Sequence, residues 1–151
     1  MKIFLKLLLL LLVFFSTPLK TSHHELVFHG AYAFETFSSK GAAATYVSIF
    51  NNSKKDIIIK SLSSEIAKIV EIHDIIIENE IVKMQKVDKL LVKAKEAVYM
   101  QPGGMHIMLM GLNEKLNDGS SFSIFFLTES DISTEVKVMV LNSRLKENFI
   151  N

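Results

Sequence analysis

The sequence predicts an all-β domain, built as an antiparallel β-sandwich. Short apolar runs rich in Ile, Val, Phe and Tyr recur along residues 25–141. Polar turn clusters separate the runs, among them Ser38-Ser39-Lys40-Gly41 and Asn51-Asn52-Ser53-Lys54-Lys55. Long stretches of helical periodicity are nearly absent. This spacing of short strands and turns is typical of antiparallel all-β domains.

Nine strands are predicted, each from one apolar run. The first three strands, 25–35, 44–50 and 56–62, are separated by the two turn clusters named above. Strands 66–77 and 80–87 are joined at Glu78-Asn79-Glu80, and strands 97–100 and 105–112 are joined by Gln101-Pro102-Gly103-Gly104. The last two strands are 121–128 and 134–141. One segment favours a helix instead: Asp88 to Ala97 carries Leu90, Leu91 and Val92 among lysines. Residues 23–151 are expected to form one domain.

Residues 1–22 are predicted to be a signal peptide. Lys2 and Lys6 supply the positive start, and the apolar run from Ile3 to Phe15 is followed by Ser16-Thr17-Pro18. The run is shorter than the roughly 20 apolar residues that span a bilayer. The alternative is a retained membrane anchor, because no clear cleavage motif follows. We therefore expect an exported, periplasmic protein whose contact with the membrane is limited to this segment.

Charge and cysteine content exclude several classes of function. Lys2, Lys6 and Lys20 precede the domain, so the remainder carries 14 basic and 16 acidic residues. The basic residues are spread out and no aromatic run accompanies them, so no nucleic-acid partner is expected. The absence of cysteine excludes disulfides, thiolate zinc sites, cysteine nucleophiles, blue-copper centres and lipidation at cysteine. Any metal must be held by His, Met or carboxylates.

Two segments carry the residues of a candidate metal site. Residues 72–84 read as a β-hairpin that turns at Glu78-Asn79-Glu80 and brings His73 near Met84. In the strand 105–112, His106, Met108 and Met110 share one face, while Ile107 and Leu109 take the other.

Two histidines with two methionines indicate copper(I). The thioether of methionine is a soft, neutral ligand that favours Cu(I) over Zn²⁺, Mg²⁺ or Ca²⁺, and imidazole accepts copper in either oxidation state. Thioethers need no deprotonation and form no disulfides, so such a site works in an oxidising compartment. The candidate ligands are His73, Met84, His106 and Met108.

The spacing of these four residues resembles the PCuAC family of periplasmic copper(I) chaperones. His73 is followed by ten residues and Met84, then by twenty-one residues and His106-Ile107-Met108, which is the copper-site pattern of that family. Pro102-Gly103-Gly104, Leu109, Leu112 and the segment from Ala43-Ala44-Thr45-Tyr46 to Asn51 are also similar, so the resemblance covers roughly residues 26–141. The chain departs from the family at Tyr32 and Phe34, where members commonly carry Trp and Arg, and it has no His- and Met-rich tail.

The resemblance implies a cupredoxin-like β-sandwich with copper(I) at an exposed edge. It also implies delivery of copper toward cytochrome c oxidase assembly, with the copper-binding subunit of the oxidase or a Sco-type thioredoxin-fold protein as acceptor. A periplasmic copper buffer or resistance protein without a dedicated acceptor is the alternative, and a metal-free interaction module is a third reading. We expect a monomer. Enzymatic activity is not expected, because four protein ligands leave no open position for a substrate.

Other residues that could bind metal are given weaker roles. Met100, Met105 and Met110 are expected to pack in the core, although Met110 shares the face of His106. His29 is expected to be a strand residue, and His23 could contribute to a Cu(II) site only if the chain were cut after Lys20. The carboxylates Glu71, Asp74, Glu78 and Glu80 are expected on the solvated side of the hairpin, with Glu71 or Asp74 as a hydrogen-bond acceptor for His73.

Overall fold

The computed structural model describes residues 25–38, 41–78 and 80–149, so the predicted signal peptide and His23 lie outside the described residues. The elements are β1 (Leu26–Phe34), β2 (Ala42–Asn51), β3 (Ile57–Ser63), β4 (Ala67–Glu78), β5 (Ile81–Val87), β6 (Leu90–Val92), β7 (Ala97–Tyr99), β8 (His106–Leu112), β9 (Ser121–Thr128), β10 (Ser133–Leu141) and a 3-10 helix (Ser143–Phe149). All nine predicted strands are confirmed, with bounds shifted by at most two residues.

The strands form one sheet that folds back on itself. Their order is β5-β4-β8-β2-β1-β10-β9-β3-β6, and β7 pairs with β2 beside β8. The pairings are antiparallel except for β1 with β10. Ile72 and Ile107 near one end of this order belong to the same buried cluster as Ile59 and Phe126 near the other. The two ends therefore pack face to face, which confirms the predicted antiparallel all-β class.

A glycine bulge bends β1. The register with β2 shifts between His29 and Tyr32, and Gly30 there has a φ of 62°, a conformation that costs glycine little. Beyond the bulge, Tyr32–Phe34 also pair with β10. His29 is a strand residue, as predicted, and its ring stacks edge-on against Phe50. The bulge thus lets one strand serve both halves of the folded sheet.

The predicted helix at residues 88–97 is wrong. Leu90 to Val92 form the short strand β6 and pair with Ile57–Ile59 of β3. Leu90 and Val92 are buried while Leu91 is exposed, so the three residues alternate with the period of a strand. Lys95, with a φ of 64°, then turns the chain. Burial of the Leu90 and Val92 side chains in the core outweighs the helix propensity of the lysines.

A buried asparagine holds three segments together at the end of β2. Asn51 is 1% exposed. Its side-chain nitrogen donates to the carbonyls of Lys55 (2.7 Å) and Val92 (2.9 Å), and its Oδ1 accepts from the amide of Ser53 (2.9 Å). The side chain thus closes the β2–β3 turn and fixes β6 at the edge of the sheet.

Replacing Asn51 with alanine is expected to lower the free energy of unfolding by about 2–3 kcal/mol, because it removes these bonds and leaves the carbonyl of Val92 without its side-chain donor in the interior. Chemical denaturation measures the change. Asn52→Ala is the matched control, since Asn52 is exposed and its recorded hydrogen bonds use only its backbone. Equal stability of the two variants would contradict the prediction.

Among the described residues there is no helix with the length and apolar character needed to cross a membrane.

Candidate metal centre

The β4–β5 hairpin carries the first two candidate ligands. β4 ends at Glu78, which pairs with Ile81 at the start of β5, and Glu80 in the turn has a φ of 64°. In this register His73 lies opposite Lys86, and Met84 lies opposite Ile75. Partners on neighbouring strands share a face of the sheet, so His73, Ile75, Met84 and Lys86 lie on one face. The predicted hairpin is confirmed.

His106 follows a short excursion of the chain between β7 and β8. Both strands pair with β2, so residues 101–105 loop out between two segments that continue along the same edge. The amide of Gln101 donates to the carbonyl of Met105, the amide of Gly104 donates to the carbonyl of Gln101, and Gly103 has a φ of 81°. The loop returns the chain to β2 with His106 as the first residue of β8.

The register brings three of the four predicted ligands together. His73 of β4 lies directly opposite His106 of β8, and their ring centroids are 6.0 Å apart. Met108 lies opposite Glu71, two residues from His73 on the same face. Ile107 and Leu109 point into the core and are fully buried, as the alternation predicted. His73, His106 and Met108 therefore form a compact group at one position on the sheet.

Met84 lies apart from this group, on the exposed part of the hairpin. It is 63% exposed, whereas His106 is 7% exposed. Met84 on β5 and Met108 on β8 are diagonal neighbours of His73, on opposite sides of β4. The two methionines are therefore two strands apart, and their positions differ by four residues along the strand direction. On a flat sheet their Cα atoms would be about 16 Å apart. Twist of the hairpin, together with extension of both side chains, is needed for the two sulfur atoms to reach one ion.

Each imidazole already uses one nitrogen in a hydrogen bond. Nδ1 of His106 lies 2.9 Å from the carbonyl oxygen of Gly104, and Nε2 of His73 lies 3.1 Å from Oε2 of Glu71. The other carboxylate oxygen of Glu71 accepts from Nζ of Lys86 at 2.9 Å. Bonds from Lys86 first, and His73 second, lower the pKa of Glu71, so its carboxylate is ionised at neutral pH. One ring nitrogen of each histidine is left for a metal.

The chemistry of the cluster requires the methionines. Among the described residues, no three His, Asp or Glu side chains group closely enough to hold a metal ion. The two histidines alone offer two nitrogen atoms, so a site with more ligands must add thioether sulfur from Met108 and Met84. Such a mixed donor set suits a soft ion such as Cu(I).

The other methionines take different positions. Met100 is 4% exposed and belongs to the core cluster, and Met105 packs against that cluster. The predicted core packing is confirmed for both. Met110 is half-buried on the face of His106 and lies outside the core cluster, so its predicted core packing is not observed. Met110 pairs with Ala42 and Ile69 and lies two residues beyond Met108 along β8.

Of the four carboxylates in this region, only Glu71 contacts a predicted ligand. Asp74 accepts from the amide of Ile75, and Glu78 pairs with Lys83. Glu71 lies on the ligand face rather than on a solvated side, so the prediction of a hydrogen-bond acceptor for His73 is confirmed and that of a solvated position is wrong for this residue.

Lys86 and the carbonyl of Gly104 were not predicted. Their roles depend on strand register and on the path of the 101–105 loop, and neither follows from residue type. The sequence does offer one signal for Lys86, because a two-residue turn after Glu78 places position 86 opposite position 73.

An aromatic cluster adjoins the site, and two of its three members, Tyr32 and Phe34, stand where the chain departs from the PCuAC pattern. Tyr46 follows Thr45, the partner of Ile107, and so stands beside His106 on β2. The ring of Tyr32 is 5.1 Å from that of Tyr46 and 5.6 Å from that of Phe34. Burial raises the pKa of both tyrosines. Cross-strand partners share a face, so the three rings continue the sheet face of His106 across β2 and β1.

Comparison with known sequences identifies a family. The model described as "Putative lipoprotein LpqE-like" matches residues 26–140. The chain is 33% identical over 101 residues to protein RP573 of Rickettsia prowazekii (strain Madrid E), an alignment that spans 66% of this chain and 56% of RP573. It is 26% identical over 114 residues to Lxx21020 of Leifsonia xyli subsp. xyli, spanning 74% of this chain and 69% of that protein. The chain thus spans little more than half of the first of these relatives.

Comparison with solved structures identifies the fold. The copper-bound PCuAC domain from PmoF2 superposes with a TM-score of 0.66 at 14% identity, covering 78% of this chain and 93% of that domain. The Cu(I) form of DR1885 from Deinococcus radiodurans superposes with a TM-score of 0.62 at 23% identity, covering 78% of each chain. These likenesses confirm the predicted cupredoxin-like β fold and the resemblance to PCuAC domains.

Proposed function

Because the chain belongs to the LpqE-like family and has the fold of PCuAC domains, we propose that it is an exported copper(I) chaperone. One observation carries the proposal: His73 and His106 stand side by side on the same sheet face as Met84 and Met108. Two imidazoles and two thioethers are ligands that favour Cu(I) and need no thiol. The proposed ligands are these four residues, and the copper ion is cargo that the protein binds and gives up.

The graded exposure of the ligands suits transfer by ligand exchange. The His106 ring is held by the loop carbonyl and buried, and Met108 is half-buried beside it. Met84 is largely exposed and lies on β5, the terminal strand of the sheet. An incoming ligand from a partner protein meets Met84 first. We therefore propose that a cysteine or histidine of the acceptor replaces the Met84 sulfur while the histidines still hold the ion.

The proposed setting is the periplasm. Residues 1–22 have the composition of a signal peptide, and the family is described as lipoproteins, which also indicates export. The 151 residues contain no cysteine that could carry a lipid. Disulfide formation, which removes thiol ligands in such a compartment, does not affect a site without thiols.

The proposed acceptor is the copper-binding subunit of cytochrome c oxidase or a Sco-type thioredoxin-fold protein. The chain is proposed to act as a monomer and without an enzymatic reaction of its own. A copper buffer or resistance protein is the second candidate, and the exposure of Met84 favours the carrier because a buffer gains nothing from a ligand that a partner can displace.

The order of the transfer reaction separates the two candidates. Copper(I)-loaded protein is mixed anaerobically with the apo copper-binding domain of each acceptor, and the transfer rate is measured against acceptor concentration. A carrier gives a rate that rises in proportion to acceptor concentration, because transfer passes through a protein–protein complex. A buffer gives a constant rate equal to spontaneous release, measured with a small-molecule Cu(I) chelator. Concentration-independent transfer to both acceptors would contradict delivery.

A further inference from the structure

The carboxylate of Glu71 joins the candidate ligand His73 to the neighbouring strand. Oε2 of Glu71 lies 3.1 Å from Nε2 of His73, and Oε1 lies 2.9 Å from Nζ of Lys86. Lys86 is the cross-strand partner of His73, so all three side chains share one face across β4 and β5. The side chains of His73 and Glu71 are 17% and 23% exposed, which partly shields their contact from water. Both oxygens of Glu71 are therefore engaged.

These contacts decide which nitrogen of His73 carries hydrogen in the neutral ring. An ionised carboxylate can only accept hydrogen bonds, so Nε2 of His73 must donate to Glu71. The lone pair is then on Nδ1, and a metal can bind only a nitrogen that has its lone pair free. Lys86 strengthens the arrangement, because it compensates the charge of Glu71 and fixes the carboxylate at its second oxygen.

His106 has the opposite arrangement. The carbonyl oxygen of Gly104 also can only accept, so Nδ1 of His106, 2.9 Å away, carries the hydrogen and Nε2 has the lone pair. The two histidines, directly opposite each other on β4 and β8, thus have their free lone pairs on different ring nitrogens.

We propose that Glu71, held by Lys86, is a positioning residue that keeps His73 as the Nε2–H tautomer, so that copper(I) is bound by Nδ1 of His73 and by Nε2 of His106. The inference rests on the proposed function for its copper part, while the tautomers are properties of the metal-free protein. An outer hydrogen-bond partner of this kind orients the ring and raises the basicity of the ligand nitrogen. Its removal is expected to weaken metal binding by roughly 10- to 100-fold.

The tautomers are measured first, on ¹⁵N-labelled residues 23–151 without metal, which include every strand of the sheet. Nitrogen chemical shifts of the imidazoles, correlated with ring protons at a pH where both rings are neutral, distinguish Nδ1–H from Nε2–H. We expect His73 to show protonated Nε2 and His106 to show protonated Nδ1. A His73 that carries its proton on Nδ1, or that populates both forms equally, overturns the inference whatever copper does.

Variants of Glu71 then test its effect on copper. Glu71→Ala is expected to abolish the tautomer preference of His73 and to weaken Cu(I) binding by roughly 10- to 100-fold in competition with a chelator. Glu71→Gln keeps one acceptor oxygen, for which Nε2 of His73 and Nζ of Lys86 compete, and is expected to retain only part of the tautomer preference and of the affinity. Glu78→Ala is the matched control, because Glu78 makes its ion pair with Lys83 on the same hairpin and contacts neither histidine.

The outcomes separate the inference from the proposed function. Wild-type protein that binds no Cu(I) but shows the expected tautomers contradicts the copper carrier and leaves the role of Glu71 on His73 supported. Glu71→Ala with unchanged tautomers and unchanged Cu(I) affinity overturns the positioning role even if the wild type binds copper tightly. A Glu71→Ala chain that fails to fold leaves the decision to the wild-type tautomers and to Glu71→Gln.

Discussion

Replacing Met84 and Met108 together with alanine is expected to lower the affinity for Cu(I) by more than roughly 100-fold, beyond what the loss of an outer hydrogen-bond partner costs. The double variant keeps His73 and His106 with their hydrogen bonds and loses both thioethers. Two imidazoles alone do not provide the soft donor set that favours Cu(I). Selectivity for Cu(I) over Zn²⁺ is therefore expected to fall together with affinity. Met84 is exposed and Met108 half-buried, so truncation at these sites disturbs the core little.

The affinity is measured by anaerobic titration of residues 23–151 with Cu(I) against a competing chelator. Met139→Ala is the matched control, since Met139 is 46% exposed and lies on β10, three strands from β8 in the order of the sheet. Met110→Ala tests whether the methionine one step beyond Met108 adds a further sulfur. Tight binding of one copper by the wild type and the control, but not by the double variant, is the expected result.

Two other results would contradict the assignment of the four ligands. If the wild type takes up no Cu(I), the His–Met pattern has no metal function in this chain. If the double variant binds as tightly as the wild type, copper is held elsewhere and the two methionines are dispensable. Single variants add the order of importance: Met84→Ala is expected to speed loss of copper to a chelator, because Met84 is the ligand that solvent and partners reach.

The strands could be predicted from the sequence because their side chains alternate between core and solvent. β9 and β10 show this clearly, with Phe122, Ile124 and Phe126 buried between exposed or half-buried neighbours. The same physics explains the one wrong element. Leu90 and Val92 have only one residue between them, so three residues of alternation were too few to outweigh a lysine-rich background, and only pairing with β3 shows that the segment is a strand.

The four candidate ligands could be named from residue chemistry and from the spacing that resembles the PCuAC family, but their arrangement could not. Which residue faces His73 depends on the hairpin register, and that register follows from a turn in which Glu80 adopts a positive φ. A glutamate in the sequence does not predict a positive φ, whereas a glycine or an asparagine would. The engagement of Glu71 by Lys86, and the distance of Met84 from the other three ligands, follow from this register.

The strand that carries His106 and Met108 is anchored by the residue between them. Ile107 is 0% exposed and pairs with Thr45 of β2 and Ile72 of β4. Replacing Ile107 with alanine is expected to lower the free energy of unfolding by about 2–5 kcal/mol, because a buried cavity replaces the lost methyl and methylene groups. Chemical denaturation of the metal-free protein measures this change. Ile81→Ala is the matched control, since Ile81 is 58% exposed and its loss is expected to cost less than about 0.5 kcal/mol.

Copper(I) should then recover much of this lost stability. The four proposed ligands lie on the face of the sheet opposite to the Ile107 side chain, and only the folded chain brings them together. At a free Cu(I) concentration about 100 times the dissociation constant, binding to the folded state alone adds about 2.7 kcal/mol. We expect Ile107→Ala to regain that amount while the Met84→Ala/Met108→Ala variant regains little. If Ile107→Ala were as stable as Ile81→Ala without metal, β8 would not be anchored as the structure has it. If copper stabilised the double-methionine variant equally, the ion would be bound away from the His73–His106 pair and its methionines.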